Sequence, residues 1–164
     1  MKAWVAVGIP KPGGEEPLRE AVARLLEGGK VRFLKASSLY ETEPFGEAKG
    51  PPFLNAVLAV ETMLPLRPFF QHLQRIEEEM ARERLGHRVD LDLLFFEDAI
   101  IQEENLVLPY PGLLERSFLL VPLAEMAPFL PFPGGGNPWD ALLHLAFQGL
   151  QRYQGPSWIE KSPP

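Results

Sequence analysis

The spacing of apolar residues predicts that the chain begins with a strand and then a helix. Trp4 to Gly8 is a short apolar run typical of a strand, and a loop rich in proline and glycine follows it. The next segment, Pro17 to Leu26, carries a proline in its first turn, and Gly28-Gly29 follows its last apolar residue. Proline near the start and glycine just past the end are typical of a helix.

The pattern further along the chain predicts two strands, a long helix and a last strand. Val31 to Tyr40 and Phe53 to Thr62 have strand character, with a Gly/Pro-rich connection between them. Leu66 to Arg84 carries apolar residues at helical spacing, and Arg88 to Leu94 alternates as a strand does. The order βαββαβ predicts an α+β, ferredoxin-like fold: an antiparallel sheet with two helices on one face and the other face free for a ligand.

The pattern weakens after Phe96. We expect a short strand near Ala99 to Gln102, a helical turn from Leu120 to Met126 and a helix from Trp139 to Leu150. These elements are interpreted as a C-terminal extension, so that residues 1–154 form one domain and residues 155–164 form a proline-rich tail.

Composition narrows the range of functions. The chain has 164 residues, a formal net charge of −6 and no cysteine. This length suits a single domain with one core, and an acidic surface does not suit the phosphate backbone of a nucleic acid. Without cysteine, disulfides and thiol nucleophiles are excluded, and no apolar segment approaches the ~20 residues of a membrane span. We expect a cytoplasmic monomer that binds neither nucleic acid nor membrane.

The strongest chemical signal is a pair of carboxylates inside the last predicted strand. Side chains alternate between the faces of a strand, so Arg88, Asp90 and Asp92 are expected on one face, with Val89 and Leu91 on the other. Two carboxylates at this spacing repel each other unless a cation bridges them or water separates them. Oxygen ligands beside an arginine suit Mg²⁺ that is shared with substrate phosphates. An exposed strand with an acidic face is the alternative interpretation.

Several other stretches, in order along the chain, match one known family. They are Ser37-Ser38-Leu39-Tyr40-Glu41-Thr42-Glu43-Pro44-Phe45-Gly46, Phe53-Leu54-Asn55-Ala56, Gln74-Arg75-Ile76-Glu77, Arg82 to Leu94, and Leu108-Pro109-Tyr110-Pro111 through Arg116, Phe118, Pro122-Leu123 and Ala127-Pro128. From Trp4 to about Pro131 the chain resembles the hydroxymethyldihydropterin pyrophosphokinase family of folate biosynthesis.

The resemblance implies a reaction and a catalytic set. The reaction is transfer of pyrophosphate from ATP to the hydroxymethyl group of 6-hydroxymethyl-7,8-dihydropterin, which leaves AMP. The family holds two Mg²⁺ ions on paired aspartates, which implies Asp90 and Asp92 here. Arg82, Arg84 and Arg88 are implied to act with them on the phosphates. ATP and the pterin are then the small-molecule partners.

The resemblance also implies two groups of binding residues. The pterin is expected at Thr42, Pro44, Phe45, Phe53, Asn55 and Phe118. The nucleotide is expected at Gln74, Glu77, Arg88, Tyr110 and Arg116. Judged from the residues alone, the two phenylalanines also suit a core, and Gln74 and Glu77 also suit the outer face of a surface helix.

The chain departs from the family pattern in places, which leaves alternatives open. Gly8-Ile9-Pro10 stands where family members usually carry Gly-Ser-Asn, the loop from Arg84 to Arg88 is short, and Tyr110 stands in place of a histidine. One alternative is therefore a relative that binds pterin or nucleotide with weak or no catalysis. An RNA-recognition module shares the element order, but the acidic charge and the missing aromatic-rich run argue against it. A nucleotidyltransferase is the remaining alternative. Its Gly-Ser and D-x-D motifs would lie close together in sequence, whereas the glycine and the D-x-D motif of this chain lie far apart, which argues against it.

Overall fold

The computed structural model describes residues 1–44, 49–83, 86–145 and 149–160. Its main elements are β1 (Lys2–Pro10), α1 (Glu16–Leu26), β2 (Val31–Ala36), β3 (Leu39–Thr42), β4 (Phe53–Thr62), α2 (Leu66–Glu83), β5 (Asp90–Phe96), β6 (Ile101–Gln102), β7 (Val107–Leu108), α3 (Ser117–Met126), α4 (Pro138–Leu143) and β8 (Leu150–Gln154). Within these described ranges, no helix is both long and apolar enough to cross a bilayer.

One antiparallel sheet organises the chain. Its strands lie in the order β5-β1-β4-β3-β8, and β2 also pairs with β4. The ten-residue strand β4 pairs with β3 through Phe53 to Asn55 and with β2 through Leu58 to Thr62. The predicted α+β, ferredoxin-like fold is confirmed, with the predicted second strand divided into β2 and β3.

Two serines explain why the predicted strand from Val31 to Tyr40 is divided. The Ser37 amide donates to Val57 O, and Ser37 Oγ accepts from the Val57 amide, both at 2.9 Å. The amide and hydroxyl of Ser38 donate to the Glu125 carboxylate at 2.8 and 2.5 Å. Because side chains satisfy these buried polar groups, the backbone can leave the regular ladder at this point.

Helices cover both faces of the sheet. Leu18 of α1 and Phe69 of α2 belong to the core on one face. On the other face, Leu120 of α3 packs in a second core with Trp4 and Leu94. The expectation of a free second face is therefore correct only at one end of the sheet, where β1 finishes and β5 begins. Elsewhere the apolar side chains of that face need cover, and α3 supplies it.

The predicted helix from Trp139 to Leu150 is confirmed as far as Leu143 and is wrong at Leu150. The helix α4 ends at Leu143, residues 146–148 lie outside the described residues, and β8 begins at Leu150. The Glu43 amide donates to Gly149 O at 3.0 Å, and a Cβ on Gly149 would lie 2.4 Å from Glu43 Cγ. The backbone thus approaches β3 closely at this glycine, and pairing with β3 replaces the helix.

Part of the stretch predicted as a tail is anchored in the core of the domain by Trp158. Residues Pro156–Glu160 form a 3₁₀ helix. Within it, Trp158 is only 1% exposed, and its indole Nε1 donates to Ser37 O at 2.9 Å. The packed domain therefore extends beyond Gln154, and only residues 161–164 of the predicted tail lie outside the described residues.

Trp158→Ala tests this packing. Removing a buried indole is expected to lower the free energy of unfolding by about 3–5 kcal/mol. Trp139 is 50% exposed and provides the control, because Trp139→Ala is expected to cost about 1 kcal/mol or less. Urea unfolding of both variants measures the difference, and equal losses would contradict a packed C-terminal segment.

Candidate functional site

The open end of the sheet brings together polar residues that are far apart in sequence. On β1, Gly8 lies opposite Asp90 of β5 on one side and opposite Asn55 of β4 on the other. Ala6 likewise lies opposite Asp92. Directly opposed residues project to the same face, so Asp90, Gly8 and Asn55 form one row, and Asp92 lies in the next.

Gly8 keeps the floor of this row open. A Cβ on Gly8 would lie 2.8 Å from Asn55 Oδ1. The Asn55 amide is held in place because its Nδ2 donates to Thr42 Oγ1 at 2.6 Å. The sequence predicted Gly8 at the end of the first strand and in a motif that departs from the family pattern, but it gave no role for the missing side chain, although a glycine within a strand often marks a close approach.

A cleft of about 500 Å³ lies over the row. The sequence-predicted residues that line it are Thr42, Pro44, Phe53, Asn55, Asp90, Asp92, Tyr110, Arg116 and Phe118. Glu43, Lys49 and Pro51 also line it and were not singled out. They lie between β3 and β4, outside any helix or strand, so no periodic pattern of apolar residues could indicate them.

Nearby arginines only partly offset the cost of burying the two aspartates. Burial raises the pKa of Asp92 to about 6, and the negative charges of Asp90 and Glu77 add to this effect, while Arg116 opposes it. Asp90 lies at the exposed mouth of the cleft, where partial removal from water raises its pKa and Arg88 lowers it. A bound cation would relieve both effects.

The donor set suits a metal ion that is shared with a ligand. Among the described residues, no group of three or more His, Cys, Asp and Glu side chains could hold a metal ion. Mg²⁺ is usually held by one or two protein carboxylates, with water and substrate phosphate oxygens at its other positions. Asp90 and Asp92 fit that pattern.

Glu77 braces the strand that carries the aspartates. Its Oε1 accepts from the Leu91 amide at 2.6 Å, and its Oε2 lies 3.6 Å from an Arg88 guanidinium nitrogen. Burial raises the pKa of Glu77, while the bond from Leu91 lowers it. Helical spacing indicated a face shared with Gln74, but it could not reveal that Glu77 reaches the backbone between the two aspartates.

Other predicted residues lie away from the cleft. Arg88 precedes β5 instead of sharing its face, and its side chain is 61% exposed. Arg82 and Gln74 are exposed on α2, and neither is among the described residues that line the cleft. Arg84 and Phe45 lie outside the described residues.

A second hollow of about 280 Å³ adjoins the first. It shares Asp92 and Tyr110 with the cleft, and Phe70, Glu104 and Leu106 are among its other lining residues. Burial raises the pKa of Tyr110, and the charge of Asp92 adds to this, so the tyrosine stays a neutral hydroxyl near neutral pH. Two compartments of ligand size therefore meet at Asp92.

The match to a known family agrees with this geometry. The sequence model of the 7,8-dihydro-6-hydroxymethylpterin-pyrophosphokinase (HPPK) family matches residues 4–128. The chain belongs to this family. The resemblance seen in the sequence motifs is thereby confirmed.

Similar proteins from bacteria carry the corresponding name. A Bacillus subtilis relative is 42% identical over 130 residues, which cover 76% of this chain and 77% of the relative. A Pseudomonas aeruginosa relative is 32% identical over 159 residues, which cover 94% and 98%. Both are named 2-amino-4-hydroxy-6-hydroxymethyldihydropteridine pyrophosphokinase. The chain is thus a member of a family of enzymes that are diphosphotransferases.

Longer proteins contain a similar domain. The Schizosaccharomyces pombe protein named folic acid synthesis protein fol1 is 37% identical over 143 residues, and the chain spans only 20% of its length. A solved HPPK-DHPS structure in complex with substrates matches 92% of the chain with a TM-score of 0.71 at 12% identity. The chain spans 46% of that protein. At this identity the likeness supports the fold alone.

Asp92→Asn tests the electrostatic cost of the site. Folding raises the pKa of Asp92 from 3.8 to about 6, so its ionisation disfavours folding, and the stabilising effect of its protonation is lost as pH rises through about 6. In EDTA at pH 8, the variant is expected to be more stable than the wild type by about 1–3 kcal/mol. The gain should disappear below pH 3.8.

The control for this comparison is Asp98→Asn, at an exposed turn. It should change stability by no more than about 0.5 kcal/mol at either pH. Urea unfolding at the two pH values measures both variants. An Asp92→Asn variant that is less stable than the wild type at pH 8 would contradict the account.

Proposed function

We propose that the chain transfers pyrophosphate from ATP to 6-hydroxymethyl-7,8-dihydropterin in a Mg²⁺-dependent reaction, with AMP and the pterin diphosphate as products. The observation that carries this proposal is that Asp92, paired with Asp90, lies where the two compartments meet. A pterin from one side and a triphosphate from the other can reach the same carboxylates. Membership of the pyrophosphokinase family supports the same reaction.

The larger cleft suits the pterin. Phe53 and Phe118 are half-buried and line it, so both can pack against a flat heterocycle. Asn55, with its amide already oriented by Thr42, can hydrogen-bond to the polar edge of the ring. Pro44 lines the cleft beside them. The pterin roles of these residues are part of the proposal.

The smaller hollow suits the nucleoside part of ATP. Its apolar wall includes Phe70 and Leu106, and its polar groups include Glu104. The phosphates would then extend past Tyr110 toward the aspartates, with Arg116 beside them. Roles for Arg82, Arg84, Arg88 and Gln74 on the nucleotide stay predictions. Glu77 is proposed to act through β5, since it bonds the backbone between the aspartates.

The reaction needs positioning and charge neutralisation more than covalent chemistry. The hydroxymethyl oxygen attacks the β-phosphorus, and the bond from that phosphorus to the oxygen that bridges it to the α-phosphorus breaks. AMP departs with the bridging oxygen, and the hydroxyl proton passes to solvent. Asp90 and Asp92 would hold Mg²⁺, two ions by analogy with the family, which would neutralise phosphate charge. Arg116 would orient the phosphates through its planar guanidinium.

Separation of the adenine nucleotides tests the reaction. The protein is incubated with ATP and Mg²⁺, with and without the pterin, and AMP is expected only when the pterin is present. Asp90→Ala and Asp92→Ala should each lower the rate at least about 100-fold, whereas Asp98→Ala at its exposed turn should not. Formation of ADP would indicate a simple kinase. Pterin binding without ATP consumption would indicate the non-catalytic relative.

Phe118→Ala tests the assignment of the two compartments. Loss of a stacking ring is expected to weaken pterin binding by about 1–3 kcal/mol and to change ATP binding much less. Phe129→Ala is the control, because Phe129 is 69% exposed and is not among the described residues that line the cleft. Calorimetric titration with each ligand measures the effect. An equal loss for both ligands would argue that Phe118 only supports the fold.

A further inference from the structure

The guanidinium of Arg116 occupies a slot made by the turn that precedes α3. Its Nη1 donates to Pro111 O at 2.7 Å, and its Cζ lies 5.8 Å from the centre of the Tyr110 ring. Arg116 also lines the cleft, and its charge acts on Asp92. The turn therefore holds this cation beside the carboxylates.

Gly112 forms the floor of the slot. A Cβ at this position would lie 2.5 Å from Arg116 Nη1 and 3.1 Å from its Cζ. At such distances the guanidinium would have to move, because non-bonded carbon and nitrogen atoms do not approach so closely. The missing side chain of Gly112 thus leaves the space that the guanidinium occupies.

The backbone conformation alone does not explain this contact. Gly112 has φ 75° and ψ 10°, in the left-handed region that favours glycine. Gly29 has the same φ of 75°, yet a Cβ there would meet nothing within 4 Å. Both glycines have a left-handed backbone conformation. Of the two, only Gly112 is also at a position where a Cβ would overlap a charged side chain.

We propose that Gly112 is a positioning residue whose bare α-carbon holds the Arg116 guanidinium in the orientation that binds the phosphates of the nucleotide. This inference rests on the proposed function. An arginine binds phosphate through a rigid planar fork, so its benefit depends on the direction in which the fork points. A displacement of about 1 Å at a reacting centre can cost up to roughly 100-fold in rate.

Two substitutions at Gly112 distinguish the effect of filling the slot from the effect of straining the backbone. Alanine adds a Cβ and also disfavours the left-handed backbone. Asparagine adds the same Cβ but tolerates that backbone well. If the slot matters, Gly112→Ala and Gly112→Asn both impair the enzyme, whereas Gly29→Ala, with matched strain in open space, leaves turnover unchanged.

A double-mutant cycle with Arg116→Ala provides the test. Steady-state kinetics should show kcat/KM for Mg²⁺-ATP lowered roughly 10- to 100-fold by either substitution at Gly112, with the KM for the pterin nearly unchanged. In the Arg116→Ala background, Gly112→Ala should add no more than about twofold, because its effect passes through the arginine.

Several outcomes would overturn the inference. They are a full additional loss in the Arg116→Ala background, wild-type kinetics in Gly112→Asn, and an equal loss of turnover in Gly29→Ala. If the wild type forms no AMP, the proposed function fails, and the same cycle is measured as affinity for Mg²⁺ with α,β-methylene-ATP. Non-additive losses of affinity would then still support the slot, and unchanged affinity in the Gly112 variants would overturn it.

Discussion

The burial of Asp92 beside a second carboxylate, on one face of β5, is the constraint on which the rest of the site depends. Asp90 and Asp92 are two residues apart on the same strand, and folding removes Asp92 from water enough to raise its pKa to about 6. The ionised pair disfavours folding, and a bound cation would relieve that cost. Buried cores on both faces of the sheet supply the stability that allows the carboxylates to stay in place.

Neighbouring elements, one strand and one helix, hold the two carboxylates in place without neutralising their charge. Backbone pairing with β1 fixes β5 on one side, and Glu77 accepts from the Leu91 amide between the two aspartates. The residues of β1 that lie beside the carboxylates, Gly8 and Ala6, are small, so they leave space above the sheet at this point. The same sheet that creates the repulsion therefore also leaves room for a ligand next to it.

The opposite wall of the cleft has its own anchor. The helix α3 carries Phe118 in its first turn, and Glu125 near its end bonds Ser38 and Tyr40 at the start of β3. Thr42, also on β3, orients the side-chain amide of Asn55. The helix that carries Phe118 is therefore connected through β3 to the Asn55 amide. The position of the wall thus depends on packing far from the cleft.

Local patterns were sufficient to predict much of this protein. The alternation in β5, the helical spacing of α2 and the paired aspartates are short-range features, and the structure contains all three. The break at Ser37, the strand β8 and the burial of Trp158 depend on partners distant in sequence, which spacing cannot reveal. The inward turn of Glu77 likewise exists only once the backbone of β5 lies against α2. The slot at Gly112 is local to its turn, but it depends on the conformation of the Arg116 side chain, which residue spacing does not give.

Binding of Mn²⁺ as a substitute for Mg²⁺ tests most directly whether the two aspartates hold a metal ion together with the nucleotide. Electron paramagnetic resonance measures free Mn²⁺ during titration of the protein with α,β-methylene-ATP present. The account predicts that the wild type binds Mn²⁺ beyond what the nucleotide alone binds, and that Asp92→Asn weakens this binding at least about tenfold. Equal Mn²⁺ affinity in the wild type and in Asp92→Asn would contradict it.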